Sequence, residues 1–227
     1  MVAGSSKVVK TIRTVDTWLT EMCDINCIVN YGPPLALSRL YAMPMWWVVQ
    51  KSVHRDIIEY EAKRWAECIG DVELIEASSF DRFVRLFARR IEFRTLVHYR
   101  LRSLPLPIRL LCRRIWPGLD SLYLATENID PGLFIQHGFS TGIDAVRVGK
   151  DCWINQQVTV GNSPNGKPTI GDRVMIGAGA MLIGPITIGD DSVIGANATV
   201  VTDVPAGAVF VGPKATEIRR SEYGPAH

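Results

Sequence analysis

The sequence predicts an α+β chain in which a helical N-terminal domain is followed by a solenoid of short stacked strands. Three observations carry this expectation. Apolar residues at mixed three- and four-residue steps run through the first half. An aliphatic residue recurs at intervals of six through the second half. Glycine becomes dense only after residue 132, where the period changes. The expected boundaries are a helical domain over 1–118, a solenoid over 119–220 and a tail over 221–227.

The helices come first. SVHRDIIEYEAKRWAECIG, residues 52–70, places Ile57, Tyr60, Ala62, Trp65 and Ile69 along one face and stops at Gly70. SSFDRFVRLFARRIEFRTLVHYRLRSL, residues 78–104, opens on a serine that can cap a helix and carries a stripe of Phe80, Phe83, Val84, Phe87, Ile91 and Phe93. Arginines fill its other positions. PLPIRLLCRRIWPG, residues 105–118, is bounded by prolines and reads as a short helix or a linker.

The repeats follow. Val148, Ile154, Val160, Ile170, Ile176, Leu182, Ile188, Ile194 and Val200 are spaced by six, with one interval of ten between Val160 and Ile170. Glycine comes next at 149, 161, 171, 177, 189 and 195, and asparagine at 155. Cys152, Val158, Val174, Ala180, Ser192 and Ala198 hold the fifth position with small or β-branched side chains. A period of six fits neither an α-helix nor an ordinary strand. It fits a unit of one short strand and one corner, coiled so that each aliphatic residue enters a narrow interior. The residue after it sits at the bend, where glycine allows unusual backbone angles. The extra residues in GNSPNGKPT, 161–169, must leave the coil as a loop, because the period resumes after them.

Composition removes several classes. The chain is 47% hydrophobic and 21% charged, as a globular protein with a substantial core would be. No apolar run is long enough to span a bilayer; MPMWWVVQ, 43–50, is the nearest. The start, MVAGSSKVVKTIRT, lacks the apolar centre of a secretory signal. Five cysteines are scattered without a disulfide pattern, and Cys23 and Cys27, one helical turn apart, lack a second ligand pair. A reduced, cytoplasmic protein without a metal is expected. The arginines between 82 and 114 suit an anionic membrane surface, a glycan diphosphate carrier or a solvated face. No nucleic-acid reading motif accompanies them.

The six-residue units, the excursion VTVGNSPNGKPTIGD and the run VMIGAGAMLIGPITIGDDSVIGANATVVTDVP resemble hexapeptide-repeat acyltransferases, and within them the serine acetyltransferase-like branch. The likeness covers about residues 128 to 220, and EFRTLVHYRL, 92–101, is similar to the helical region ahead of the repeats in that branch. The resemblance implies a left-handed parallel β-helix of three-sided rungs. It also implies a homotrimer, by extension a dimer of trimers, with acetyl-CoA along a groove between neighbouring prisms.

The same resemblance assigns the site. QHGFSTG, 136–142, matches the stretch that holds the family's catalytic histidine, which makes His137 the general base. Transfer of an acetyl group to a hydroxyl needs such a base, and histidine's ordinary pKa of roughly 6.5 leaves it mostly neutral at cellular pH. Two positions depart from the family pattern. The acidic residue before the histidine is Gln136 here, and in the serine protease triad exchanging the orienting aspartate for its amide costs about 10⁴ in kcat. Asp130 and Asp144 are the candidates to orient His137 instead. The family's second histidine, before a proline, is Lys167 before Pro168.

VGKDCWINQQVTVG, 148–161, is similar to members among polysaccharide-biosynthesis enzymes, where Gln136, Asn155, Gln156 and Lys167 would bind a sugar acceptor. Trp153 is either a sugar platform or a packing residue. For acetyl-CoA the match points to Gly161, Ala178, Ala196, Thr202 and Arg219, with Arg220 equally placed for phosphates. The favoured reading is an acetyl-CoA-dependent O-acetyltransferase acting on a sugar or polysaccharide precursor. The alternatives are L-serine O-acetylation and a weakly active scaffold.

Overall fold

The computed structural model describes residues 33–214 and 216; Cys23, Cys27, Arg219, Arg220 and the tail lie outside them. Among the described residues six α-helices precede the strands: α1 Leu35–Gln50, α2 Arg55–Ile69, α3 Val72–Glu76, α4 Ser79–Arg89, α5 Ile91–Arg100 and α6 Leu106–Ile115. None among the described residues is long and apolar enough to cross a membrane. Fourteen strands of two or three residues follow among the described residues: β1 Leu122–Leu124, β2 Asn128–Ile129, β3 Phe134–Ile135, β4 Thr141–Ile143, β5 Arg147–Val148, β6 Trp153–Ile154, β7 Thr159–Gly161, β8 Thr169–Ile170, β9 Met175–Ile176, β10 Met181–Ile183, β11 Thr187–Ile188, β12 Val193–Ile194, β13 Thr199–Val200 and β14 Val209–Phe210.

Ser78 caps α4 by accepting from the Asp81 N–H at 3.1 Å, and Gly70 ends α2 in the left-handed conformation, both where the sequence places them. Three expectations for the helical half change. The stripe of α2 is rotated: Ile58 and Trp65 enter the core, while Tyr60 stays exposed and donates from its hydroxyl to Asp151 at 2.8 Å. The segment 78–104 is not one helix, because Arg90 is extended between α4 and α5. Its cause is Arg94, whose guanidinium occupies the Phe87 and Ala88 carbonyls that a continuing helix would use. The arginines do not form one basic face. Arg82 donates to the carbonyls of Leu74, Ile75 and Ala77, and Arg100 is buried against Glu61.

The strands build three parallel sheets in which each strand pairs with the one three further along the chain, except that β12 pairs with β14. The first sheet has the order β1-β4-β7-β10-β13, the second β11-β8-β5-β2 and the third β14-β12-β9-β6-β3. The coil is therefore a three-sided prism of about five turns. Ile135, Ile154, Ile176 and Ile194 stack in register in its interior, each fully or nearly fully buried.

The bend glycines are needed for a different reason from the one the sequence suggested. Gly149, Gly171, Gly177, Gly189 and Gly195 do not take positive φ. A Cβ at Gly177 would stand 2.7 Å from the Ala196 nitrogen, and one at Gly149 would stand 2.3 Å from the Gly171 carbonyl. What glycine permits is the close approach of successive turns. Positive φ falls two residues later, on Asp151, Arg173, Gly179, Asp191 and Asn197. Most of these are residue types that tolerate the left-handed region.

The helices close the N-terminal end of the prism. The Trp65 indole donates to the Leu133 carbonyl at 2.9 Å and meets Phe93 and Phe134 edge-on. Arg100 donates to the Ile129 and Asp130 carbonyls, and the Tyr99 hydroxyl lies against the Thr126 and Glu127 carbonyls.

Candidate functional site

Three edges join the sheets, and the candidate residues fall on two of them. Where the third sheet passes into the first lie Gln136, His137, Asn155, Gln156, Ala178 and Ala196. Because Ile135, Ile154, Ile176 and Ile194 are in register, the residues after them form a ladder up this edge. Gly161, Lys167 and Thr202 lie on the next edge, between the first and second sheets. One chain does not bring the two sets together.

His137 sits in an enlarged corner. The path from Ile135 to Ile143 takes eight residues, where the paired path from Ile154 to Val160 takes six. His137 and Ser140 both adopt left-handed backbone, with φ of 54° and 50°, and the Phe139 N–H donates to the His137 carbonyl at 2.7 Å. The histidine is half-buried while Phe139 and Ser140 stand exposed. Among the described residues its imidazole has no hydrogen-bond or ion-pair partner. An imidazole on this bulged corner is of the right chemistry to take a proton from a molecule laid against the edge.

Neither carboxylate proposed from sequence orients it. Asp130 is held by Arg147, whose guanidinium it keeps above its ordinary pKa, and Asp144 is held by Lys167 at 2.6 Å. The cations sit closer in the coil, and the sequence distance from 137 to 144 hides that Asp144 belongs to another edge.

Gln136 is turned away from the base as well. The Trp153 indole N–H is shared between Gln136 Oε1 at 3.2 Å and Asn155 Oδ1 at 3.1 Å. Trp153 also packs edge-on against Phe134, with ring centroids 4.8 Å apart. It is thus a packing residue whose polar atom sets two amides, leaving their NH₂ groups to donate outward. Sequence reasoning left its role open; the signal was its place two residues before Asn155 in a strand, on the same face. Asn155 is buried and Gln156 half-buried beside it.

The positions matched to the acyl donor differ in what packing demands of them. Gly161 is the bend glycine with room: a Cβ there would meet Ile183 at 3.5 Å and Thr159 at 3.7 Å, which is ordinary contact. Gly142 on the outer face of the first sheet has nothing within 4 Å and was not singled out from sequence. Ala178 is half-buried, and Ala196 and Thr202 are exposed. Small residues with space above them fit a long, narrow arm laid along the coil. Cys152 takes no part: it is inside the prism, and burial pushes its thiol up to about 12. Among the described residues no three His, Cys, Asp or Glu side chains are grouped to hold a metal ion.

A family model described as bacterial transferase hexapeptide (six repeats) matches residues 167–202. A serine acetyltransferase of Helicobacter pylori is 44% identical over 97 residues, covering 40% of this chain and 57% of its own. One of Mycobacterium tuberculosis is 49% identical over 125 residues, covering 49% and 50%. The chain thus spans about half the length of these curated relatives. Among solved structures, Neisseria gonorrhoeae serine acetyltransferase in complex with serine aligns with a TM-score of 0.52 at 26% identity, covering 72% of this chain and 68% of that one. Serine acetyltransferase isoform 3 of Entamoeba histolytica, in complex with cysteine, aligns with a TM-score of 0.56 at 23% identity over 96% of this chain and 79% of that one, a likeness of fold. The coil is accordingly the left-handed parallel β-helix that the resemblance implies.

Proposed function

We propose that this chain is an O-acetyltransferase that uses acetyl-CoA, with His137 as general base and L-serine as the acceptor. The observation that carries the reading is an imidazole with no partner among the described residues on an enlarged prism corner, in a chain 40–49% of which aligns with serine acetyltransferases at 44–49% identity. These likenesses move the preferred acceptor from the sugar hydroxyl favoured by sequence to serine.

The chemistry balances simply. The acceptor oxygen attacks the thioester carbonyl carbon, the carbon–sulfur bond breaks, and CoA leaves. His137 takes the hydroxyl proton and returns it to the departing sulfur. The amide NH₂ groups of Gln136 and Asn155, whose oxygens accept from Trp153, would donate to the acceptor's polar groups. Gly161, Ala178, Ala196 and Thr202 would flank the donor.

A homotrimer belongs to the same reading. The two groups of candidate residues lie on different edges of one prism, and a neighbouring copy that presents its Lys167 edge to the His137 edge would complete the site. The Asp144–Lys167 pair then lies opposite His137 rather than beside it.

The test is release of CoA thiol from acetyl-CoA by the purified chain. Serine is expected to support turnover, and His137→Ala to lower kcat by about 10²–10⁴ with the fold intact. A sugar hydroxyl is the second reading, favoured by Lys167 standing in an ion pair where the family has a histidine. Turnover with saccharides and none with serine would replace the first reading by the second.

A further inference from the structure

A second concave site lies at the closed end of the prism, and it shares no lining residue with the two edges above. Between α5, α6 and β1 is a cleft of about 440 Å³ walled by Arg102, Arg109, Arg113, Asp120, Tyr99 and Tyr123. This volume lies within the range of small-molecule sites. Three guanidiniums face one carboxylate.

Among the described residues Arg109 and Arg113 hold no other part of the fold in place. Arg109 and Arg113 stand one turn apart on α6, a spacing at which like charges repel. Among the described residues neither has an ion pair or hydrogen bond. Elsewhere in this half, arginines that serve the structure are visibly used: Arg82, Arg94 and Arg100 each donate to several carbonyls. Arg102 is fixed by the Glu127 carbonyl and lies over the Tyr99 ring, 4.5 Å from its centroid. The Tyr99 hydroxyl is engaged by backbone carbonyls, whereas the Tyr123 side chain is exposed at the cleft. Guanidinium forks match phosphate oxygens in pairs. The Asp120 carboxylate at the cleft can accept from a ligand hydroxyl.

We propose that this cleft binds a phosphate ester that carries free hydroxyls, with Arg109 and Arg113 as the paired forks and Arg102 as a fixed third donor. The same headgroup chemistry occurs on soluble esters and on lipids, so the probes are glycerol 3-phosphate and vesicles containing phosphatidylglycerol. The full chain is titrated with glycerol 3-phosphate calorimetrically at low salt, and sedimented with phosphatidylglycerol–phosphatidylcholine or pure phosphatidylcholine vesicles. Each assay is repeated with Arg109→Gln/Arg113→Gln, and with Lys51→Gln/Lys63→Gln, which removes the same charge from exposed positions outside the cleft. Far-UV circular dichroism checks that each variant folds.

Saturable glycerol 3-phosphate binding, weakened about tenfold or more by the arginine variant and unchanged in the lysine variant, is the expected result. Binding only to phosphatidylglycerol vesicles, lost in the arginine variant alone, assigns the site to a lipid headgroup. No saturable binding of either probe, or equal loss in both variants, overturns the proposal. Serine-dependent turnover enters neither assay, so this site and the acetyl-transfer reading fail independently.

Discussion

Gly161 and Gly177 occupy the same position of their repeats, yet the space around them differs. At Gly177 an added methyl would press on backbone of the next turn at 2.7 Å, whereas at Gly161 the nearest atom is the end of Ile183 at 3.5 Å. Gly177→Ala is expected to lower stability by about 1–3 kcal/mol, as overpacking does. Gly161→Ala should leave stability within about 0.5 kcal/mol of wild type and raise KM for acetyl-CoA severalfold. Urea denaturation and initial-rate kinetics on both variants separate the two; a silent KM at Gly161 removes it from the donor path. At this scale the sequence offers His137 only through the likeness of QHGFSTG to the family's histidine stretch, and the enlarged corner that holds it emerges from the strand register. The partner of Lys167 was not legible, because an ion pair across a coil corner leaves no trace in local spacing.

Among the elements, α2 and α5 are tied by a buried ion pair whose role is to join helices to solenoid. Arg100 grips the Glu61 carboxylate and also the carbonyls of Ile129 and Asp130, where the coil begins. Burial pushes the Glu61 carboxyl up, and Arg100 with the Gly132 backbone pulls it back down. Glu61→Gln keeps the shape and removes the compensating charge from a buried guanidinium. It is expected to cost about 3–5 kcal/mol in urea denaturation. A loss under about 1 kcal/mol would mean that the carbonyl bonds alone hold Arg100. The break at Arg90 belongs to the same scale. Phe83, Phe87 and Phe93 read as one helical stripe, but the Arg94 guanidinium folds back onto the Phe87 and Ala88 carbonyls that would have continued it.

For the whole molecule, the acid limb of stability has an identifiable contributor. His98 is buried under α6, its Nε2 2.6 Å from the Trp116 carbonyl, and burial lowers its pKa, with Arg113 and Arg94 adding to the fall and the carbonyl opposing it. The groups facing it are thus two cations and a carbonyl. A base whose folded pKa lies below its unfolded value binds fewer protons when folded. Its contribution is therefore fully present above about pH 6.5 and is lost as pH falls through the folded value. Thermal unfolding from pH 8 to pH 5 should show a drop in Tm that is smaller in His98→Gln; equal drops would assign the acid limb to other groups.

The sequence by itself determined the coil. A narrow three-sided interior admits one aliphatic side chain per face and no Cβ where turns touch, so fold and repeat are the same statement, written locally every six residues. It also determined the capping serine and the terminating glycine, each of which acts within a few residues of itself. Only the tertiary structure decided which arginines are inside and which face the cleft. It likewise decided that Asp130 and Asp144 are spent on cations, and that the site's residues divide between two edges. Those outcomes depend on which atoms meet across tens of residues, and a guanidinium has the same composition whether it closes a helix or waits for a phosphate.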